Sequence, residues 1–231
     1  AMNRSDALTA VSDWLKRRTF EEFTIRKEIE TIPNFVDLDR FHPGGRAGYP
    51  EPGEPFILMH ASNFRPVKRV MDICRIFYHV QRQVPARLVL LGKGPELGLV
   101  RELCAELGMC HRVDIVGSRP DIENAMKQSH LFLLMSQYES FGLSALEALA
   151  CGVPVAASRA GGLPEVIEDG VSGMLEPVGD VESMARRIVG LLTDRSAWEA
   201  MSRSAAERSR IFSLREIVGR YEVLYERLTA S

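Results

Sequence analysis

Two glutamates set eight positions apart, Glu139 and Glu147, are the carboxylates best placed to do chemistry. They bracket the run Ser140-Phe141-Gly142-Leu143-Ser-Ala-Leu146 and lead into Ala-Leu-Ala-Cys-Gly-Val-Pro154. Glu147 is the sole charge between Phe141 and Cys151, so the helix carrying it is nearly all apolar and must be buried. A lone carboxylate in such a helix is costly unless donors reach it. The hydroxyls of a sugar or a ribose are donors of that kind; a glutamate at the solvent edge of the helix is the plainer alternative. Glu139 stands just before the helix, beside Ser140, a good N-cap residue. A helix start turns free N–H groups and a positive dipole end outward, which suits a phosphate. Two carboxylates about a sugar also describe a glycosidase pair, but Glu147 near a cationic loop reads better as a hydroxyl ligand.

That cationic loop is Ser62-Asn63-Phe-Arg65-Pro-Val-Lys68-Arg69, with three cations within five residues. They are placed to neutralise a diphosphate, although exposed cations at an ordinary helix start are the competing reading. Gly92-Lys-Gly94-Pro-Glu96 follows an apolar run, but Leu97 stands where a GxGxxG fingerprint needs its third glycine. It serves either as a tight loop over a phosphate-bearing ligand or as a turn, with Pro95 in the first helical turn. Gly161-Gly-Leu-Pro-Glu165 permits close backbone approach to a ligand, or merely a turn. The chain contains no HExxH, GxSxG, Walker A or Cys/His metal pattern, and no pair of aspartates offers a metal site. Of five scattered histidines, only His60 falls at a strand end near these loops.

These residues need elements that hold them at one end of a sheet. Apolar runs at 56–60, 87–91, 113–116, 131–135, 153–157 and 173–175 read as strands. Helical spacing fills 67–84, 97–107, 122–128, 141–150 and 163–168. Strands apolar throughout are buried on both faces. Repeated βα units of this kind predict an α/β fold, a doubly wound, Rossmann-like parallel sheet of about six strands. The candidate loops then fall at the carboxyl ends of the strands, where such sheets bind ligands. A helical tail follows over 180–228, its last helix striped by Leu214, Ile217, Val218, Tyr221, Leu224, Tyr225 and Leu228.

Residues 32–55 are rich in proline and glycine and read as a linker. Ahead of them, an apolar run at 6–12 reads as a buried strand and 14–27 as a helix. Ala1-Met2 has the look of an expression scar, and the orphan strand suggests an excised piece of a longer protein. Val11, Trp14, Leu15, Phe20, Phe23 and the stripe of the last helix would then lack their partner. The expected outcome is disorder of the first 30 residues or association into a homo-oligomer through them, the second being favoured.

Composition narrows the rest. A chain of 231 residues, 45% hydrophobic and 26% charged, is neither disordered nor collagen-like. A net charge of −2 gives no nucleic-acid footprint. No apolar run approaches the roughly 20 residues of a membrane span. Cys74, Cys104, Cys110 and Cys151 lack CxxC spacing and read as core thiols of a cytoplasmic protein.

Taken in order, these motifs resemble the donor-binding, C-terminal half of GT-B glycosyltransferases of the retaining family 4 type, along essentially the whole chain. Ile32-Pro-Asn-Phe-Val-Asp37 with Phe41-His-Pro43 is similar to the interdomain linker. Gly92-Lys-Gly-Pro-Glu96 is similar to the family's Gly-x-Gly-Pro-Glu loop, and Glu139 and Glu147 to its E-x7-E signature; Ala150-Cys-Gly-Val-Pro154 and Gly161-Gly-Leu-Pro-Glu165 also agree. The resemblance implies residues 1–31 as a remnant of the acceptor domain, 32–55 as interdomain linker, 56–212 as donor domain and 213–231 as the crossing helix. It implies that Glu139 holds the sugar hydroxyls of a nucleotide sugar and Glu147 the ribose hydroxyls. Lys68 and backbone N–H groups around Ser140, Phe141, Gly142 and Leu143 would bind the diphosphate, with Gly92 and Gly94 also lining the donor site. Much of the family has Gly-Arg where this chain has Ser62-Asn63; Arg65 is the candidate to supply the missing charge.

The form Ser62-Asn-Phe-Arg-Pro-Val-Lys-Arg69 is similar to a branch that joins N-acetylglucosamine to L-malate in bacillithiol biosynthesis, which implies UDP-GlcNAc as donor. Metal-independent transfer with retention, no cofactor and a small acceptor bound by a domain absent here are the further implications. A free-standing nucleotide-sugar-binding module, a family 4 transferase with a lipid or glycan acceptor, and a sugar-nucleotide epimerase are the competing readings.

Overall fold

A computed structural model describes residues 2–230; Ala1 of the expected scar and Ser231 of the expected crossing helix lie outside them. The chain begins with β1 (Thr9–Ala10), α1 (Asp13–Glu22) and β2 (Glu30–Thr31), then enters an alternating series. That series runs β3 (Phe56–Ser62), α2 (Val70–Gln81), β4 (Ala86–Gly92), α3 (Leu97–Glu106), β5 (Val113–Val116), α4 (Ile122–Lys127) and β6 (Leu131–Leu134). It continues through α5 (Leu143–Ala150), β7 (Val155–Ser158), α6 (Leu163–Val166) and β8 (Gly173–Glu176) to α7 (Val181–Leu192), α8 (Arg195–Ser209) and α9 (Leu214–Thr229).

The six strands β3 to β8 form one parallel sheet in the order β5-β4-β3-β6-β7-β8. This is the doubly wound Rossmann-like sheet the apolar runs predict. Alternate residues of each strand feed opposite layers. Leu58, Leu131 and Leu133 pack with Ile73, Phe77 and Ile188 on one face; Met59, Phe132 and Leu134 pack with Leu146, Leu149 and Leu163 on the other. Two buried faces account for β6 and β7, which are buried throughout; β5, at the sheet edge, is half-buried along its length and admits Asp114, paired with Arg87 of β4 at 2.9 Å. The order reverses between β3 and β6, so the loops leaving their carboxyl ends diverge and open a crevice.

Several local expectations change. The apolar run at 6–12 forms only the two-residue β1, whose Thr9 is exposed, and it pairs in parallel with β2. Neither disorder nor an unpaired edge on both sides describes it. Residues 2–31 lie against their own chain: Arg227 pairs with Glu30 at 2.7 Å, and Ala7 packs on the cluster of Ile32, Ile217 and Leu224. Part of the α9 stripe is therefore covered, while Leu214 and Tyr225 remain exposed. The helical run at 67–84 is broken: Pro66–Lys68 is a short 3-10 turn, and Arg69 adopts a left-handed conformation (φ 48°) before α2 begins. Cys110 is exposed rather than a core thiol, whereas Cys74, Cys104 and Cys151 are buried.

Candidate functional site

The crevice between β3 and β6 gathers the residues that the sequence singled out. Lys68, at the end of the 3-10 turn after β3, meets Glu139, in the loop after β6, with Nζ 2.6 Å from Oε2. Ser136 also donates to that carboxylate oxygen at 3.2 Å. The two loops are tied by backbone as well, Gln137 N–H donating to the Val67 carbonyl at 2.8 Å. Arg65 caps the same turn, and its exposed guanidinium engages no protein partner among the described residues. Asn63 is likewise exposed.

Beneath the loops, His60 is sealed in the sheet. Its Nδ1–H donates to the Leu133 carbonyl of β6 at 2.8 Å, and Nε2 accepts from Ser62 Oγ at 2.8 Å. A carbonyl can only accept, so this tautomer follows from the contact. Burial, with the charge of Lys68 nearby, holds the imidazole down at about 4. His60 is thus a neutral strut across the switch point, fully buried beneath the crevice.

The glycines act mainly through backbone proximity. A Cβ on Gly92 would stand 1.8 Å from the Ser62 carbonyl oxygen, and one on Gly94 1.9 Å from that of Asn63. The Gly92–Glu96 loop therefore presses onto the Ser62–Phe64 backbone, and Glu96 N–H donates to the Phe64 carbonyl at 3.1 Å. Gly161 does the same to the other loop, its Cβ position lying 1.8 Å from the Glu139 carbonyl oxygen. The stretch Gly161–Glu165 thus supports Glu139.

Ser140 is not the N-cap of the helix behind Glu139. That helix, α5, starts at Leu143 and is capped by Gly142 in a left-handed conformation (φ 98°) without a side-chain bond. That left-handed backbone strains any side chain, so glycine is favoured there and the serine falls two residues too early. Phe141 is buried edge-on against Phe212, ring centroids 5.5 Å apart, which leaves only its backbone for a ligand. Leu143 is exposed at the helix start.

Glu147 lies just over one turn into α5, half-buried, and its carboxylate has no hydrogen-bond partner among the described residues. Burial pushes its carboxyl up to about 7; Arg40 opposes the rise and Glu123 adds to it. Arg40, in the segment 32–55, grips the loop after β5, donating to Glu123 Oε2 at 2.8 Å and to the Pro120 carbonyl at 3.2 Å. A cleft of about 250 Å³ opens there between Ser62 and Gly92 on one side, Ser118, Arg119 and Ile122 on another, and Ser144 at the start of α5. Sequence reasoning missed Ser118, Arg119, Ile122, Ser144 and Arg40. The signal available was Gly117-Ser-Arg-Pro120 directly after an apolar run. A larger hollow of about 540 Å³ between the first segment and α9 contains none of the candidate residues. Among the described residues no cluster of three metal-ligating side chains occurs, and none of their helices is long and apolar enough to cross a membrane.

The family profile described as "Glycosyl transferases group 1" matches residues 45–208. This chain belongs to that glycosyltransferase family. It is similar to N-acetyl-alpha-D-glucosaminyl L-malate synthase of Bacillus anthracis, 38% identical over 233 residues, covering 97% of this chain and 60% of that protein. It is also similar to D-inositol 3-phosphate glycosyltransferase of Mycolicibacterium smegmatis, 34% identical over 214 residues, covering 87% of this chain and 48% of the relative. Among solved structures, sucrose-phosphate synthase from Thermosynechococcus elongatus superposes with a TM-score of 0.87 at 24% identity, covering 99% of this chain and 60% of that one. The Anabaena protein HepE, solved with UDP and glucose, gives 0.86 at 22% identity, covering 99% and 64%. These likenesses bear on the fold, which is that of the GT-B glycosyltransferases. This glycosyltransferase chain spans about half to three-fifths of the length of the relatives it matches.

Proposed function

We propose that the crevice binds a nucleoside-diphosphate sugar, UDP-GlcNAc, as the donor site of a retaining glycosyltransferase whose acceptor is a small molecule, L-malate. The observation that carries this reading is the meeting of Lys68 and Glu139 at the switch point, with the unpaired Arg65 beside them. One ligand carrying both phosphates and hydroxyls answers both signs of charge. In this reading Arg65, Lys68 and the first N–H groups of α5 receive the diphosphate. They stabilise the charge that gathers on its second phosphate as the sugar leaves. Glu139 accepts from sugar hydroxyls, Glu147 from the ribose, and the base lies against Arg119 and Ile122. The name of the Bacillus anthracis relative supports the choice of sugar and acceptor. We assign residues 1–31 to the end of an acceptor domain, 32–55 to the interdomain linker, 56–212 to the donor domain and 213–231 to the crossing helix. By itself the chain binds donor without turning it over.

Calorimetry with UDP, UMP and UDP-GlcNAc tests the reading. UDP should bind more tightly than UMP, because the cations act on the second phosphate; equal affinities would remove the basis for the assignment.

A further inference from the structure

The carbonyl oxygens of Glu139 and Ser140 are held by two different parts of the chain. Gly162 N–H donates to the Glu139 carbonyl at 2.8 Å. The Ser140 carbonyl accepts from Ser12 Oγ at 2.6 Å, across 128 residues of sequence. Ser12 is 1% exposed, and its oxygen also accepts from Leu15 N–H at 3.0 Å as the N-cap of α1. Its single proton is committed to Ser140. The start of α1 is anchored in turn: the Glu165 carboxylate accepts from Asp13 N–H at 2.8 Å and from Trp14 N–H at 2.7 Å, one oxygen each. Space at the junction is closed. A Cβ on Gly162 would lie 2.4 Å from the Ser140 carbonyl oxygen and 3.0 Å from Ser12 Cβ. Ser12, the start of α1, the Gly161–Glu165 loop and the Glu139–Ser140 backbone thus close a ring.

We propose that Ser12 is a positioning residue for Glu139. Its hydroxyl fixes the backbone from which the Glu139 carboxylate reaches the crevice, so the segment ahead of the linker helps set sugar recognition. This rests on the reading of Glu139 as the sugar ligand. A serine outside the sheet would be a plain helix cap by sequence. What distinguishes it here is the second bond, to the residue beside Glu139, made from a fully enclosed position.

The test compares binding of UDP and UDP-GlcNAc by calorimetry in the 231-residue chain. Ser12→Gly removes the hydroxyl while leaving a residue that caps a helix nearly as well as serine. It should leave UDP affinity within about twofold of the parent and weaken UDP-GlcNAc about fivefold, the scale of one hydrogen bond. Ser12→Thr, which keeps the hydroxyl, should restore the parent ratio. Glu165→Gln, which loosens α1 without touching Ser12, should move the ratio the same way by a smaller factor and serves if Ser12→Gly does not fold. Glu139→Gln is the reference. If it leaves the ratio unmoved, the reading of Glu139 falls and takes this inference with it. If Glu139→Gln moves the ratio while neither Ser12→Gly nor Glu165→Gln does, or if Ser12→Gly weakens both ligands equally, only the role of Ser12 is overturned.

Discussion

Lys68 and Glu139, 71 residues apart in sequence, stand 2.6 Å apart across the gap where β3 and β6 part. Their side chains are 22% and 16% exposed, so the pair is screened from bulk water yet reachable. Without ligand each charge satisfies the other; a ligand bearing phosphates and hydroxyls would divide them. Lys68→Ala should therefore cost about 1.5–3 kcal/mol of UDP binding, the scale of a charged hydrogen bond. UMP should lose less, because it lacks the second phosphate. Titration calorimetry of both nucleotides measures the difference.

Glu147 predicts a pH dependence of stability. Burial raises its carboxyl to about 7 from an ordinary 4.5. Between those values the folded chain holds a proton that the unfolded chain has released, so this group's contribution to stability falls as pH rises through the window. Glu147→Gln, which mimics the protonated form, should match the parent near pH 4 and exceed it at pH 8. Because the carboxyl is not sealed from water, we expect a gain of about 1–2 kcal/mol rather than the full value. Thermal unfolding at the two pH values gives the comparison, and the same substitution should weaken UDP and UMP alike.

His60 acts in the opposite direction. Its imidazole is held at about 4 against an ordinary 6.5. Here the unfolded chain binds the extra proton, so stability rises with pH across that interval. Over the same interval Glu147 pulls the other way, so the His60 part is read as the parent's stability minus that of His60→Gln in urea unfolding from pH 4 to 7, a difference that should slope upward by up to about 3 kcal/mol.

Gly161→Ala should disturb the site through Glu139. Its Cβ would fall 1.8 Å from the Glu139 carbonyl oxygen at a backbone φ of 60°. Two strains at one position should cost about 2 kcal/mol or more. Gly98→Ala, where an added methyl meets nothing, is the control and should be close to neutral or stabilising. Denaturant midpoints of the two variants decide the matter.

The pattern of residues is enough to predict the sheet and the loops that cluster at one end of it. Runs such as 56–59 and Leu131–Leu134 are apolar on both faces, and only a sheet covered on both sides accommodates that pattern. The alternation of strand and helix then fixes a parallel order, and with it the end at which Lys68, Arg65, Glu139 and Glu147 must gather. What each one touches follows from packing and from nothing in the local pattern. Spacing along the chain contains nothing about a lysine and a glutamate 71 positions apart meeting at 2.6 Å. Ser140 is legible as a cap because serine is a good one; the backbone turns instead at Gly142, in a left-handed conformation that favours glycine. Ser12 and Arg40 carried no motif, since a lone hydroxyl or guanidinium has no period, and their partners lie 128 and 83 residues away. Local pattern records which face of an element must be buried; long-range hydrogen bonds depend on how elements cross, and that geometry exists only once the chain has packed.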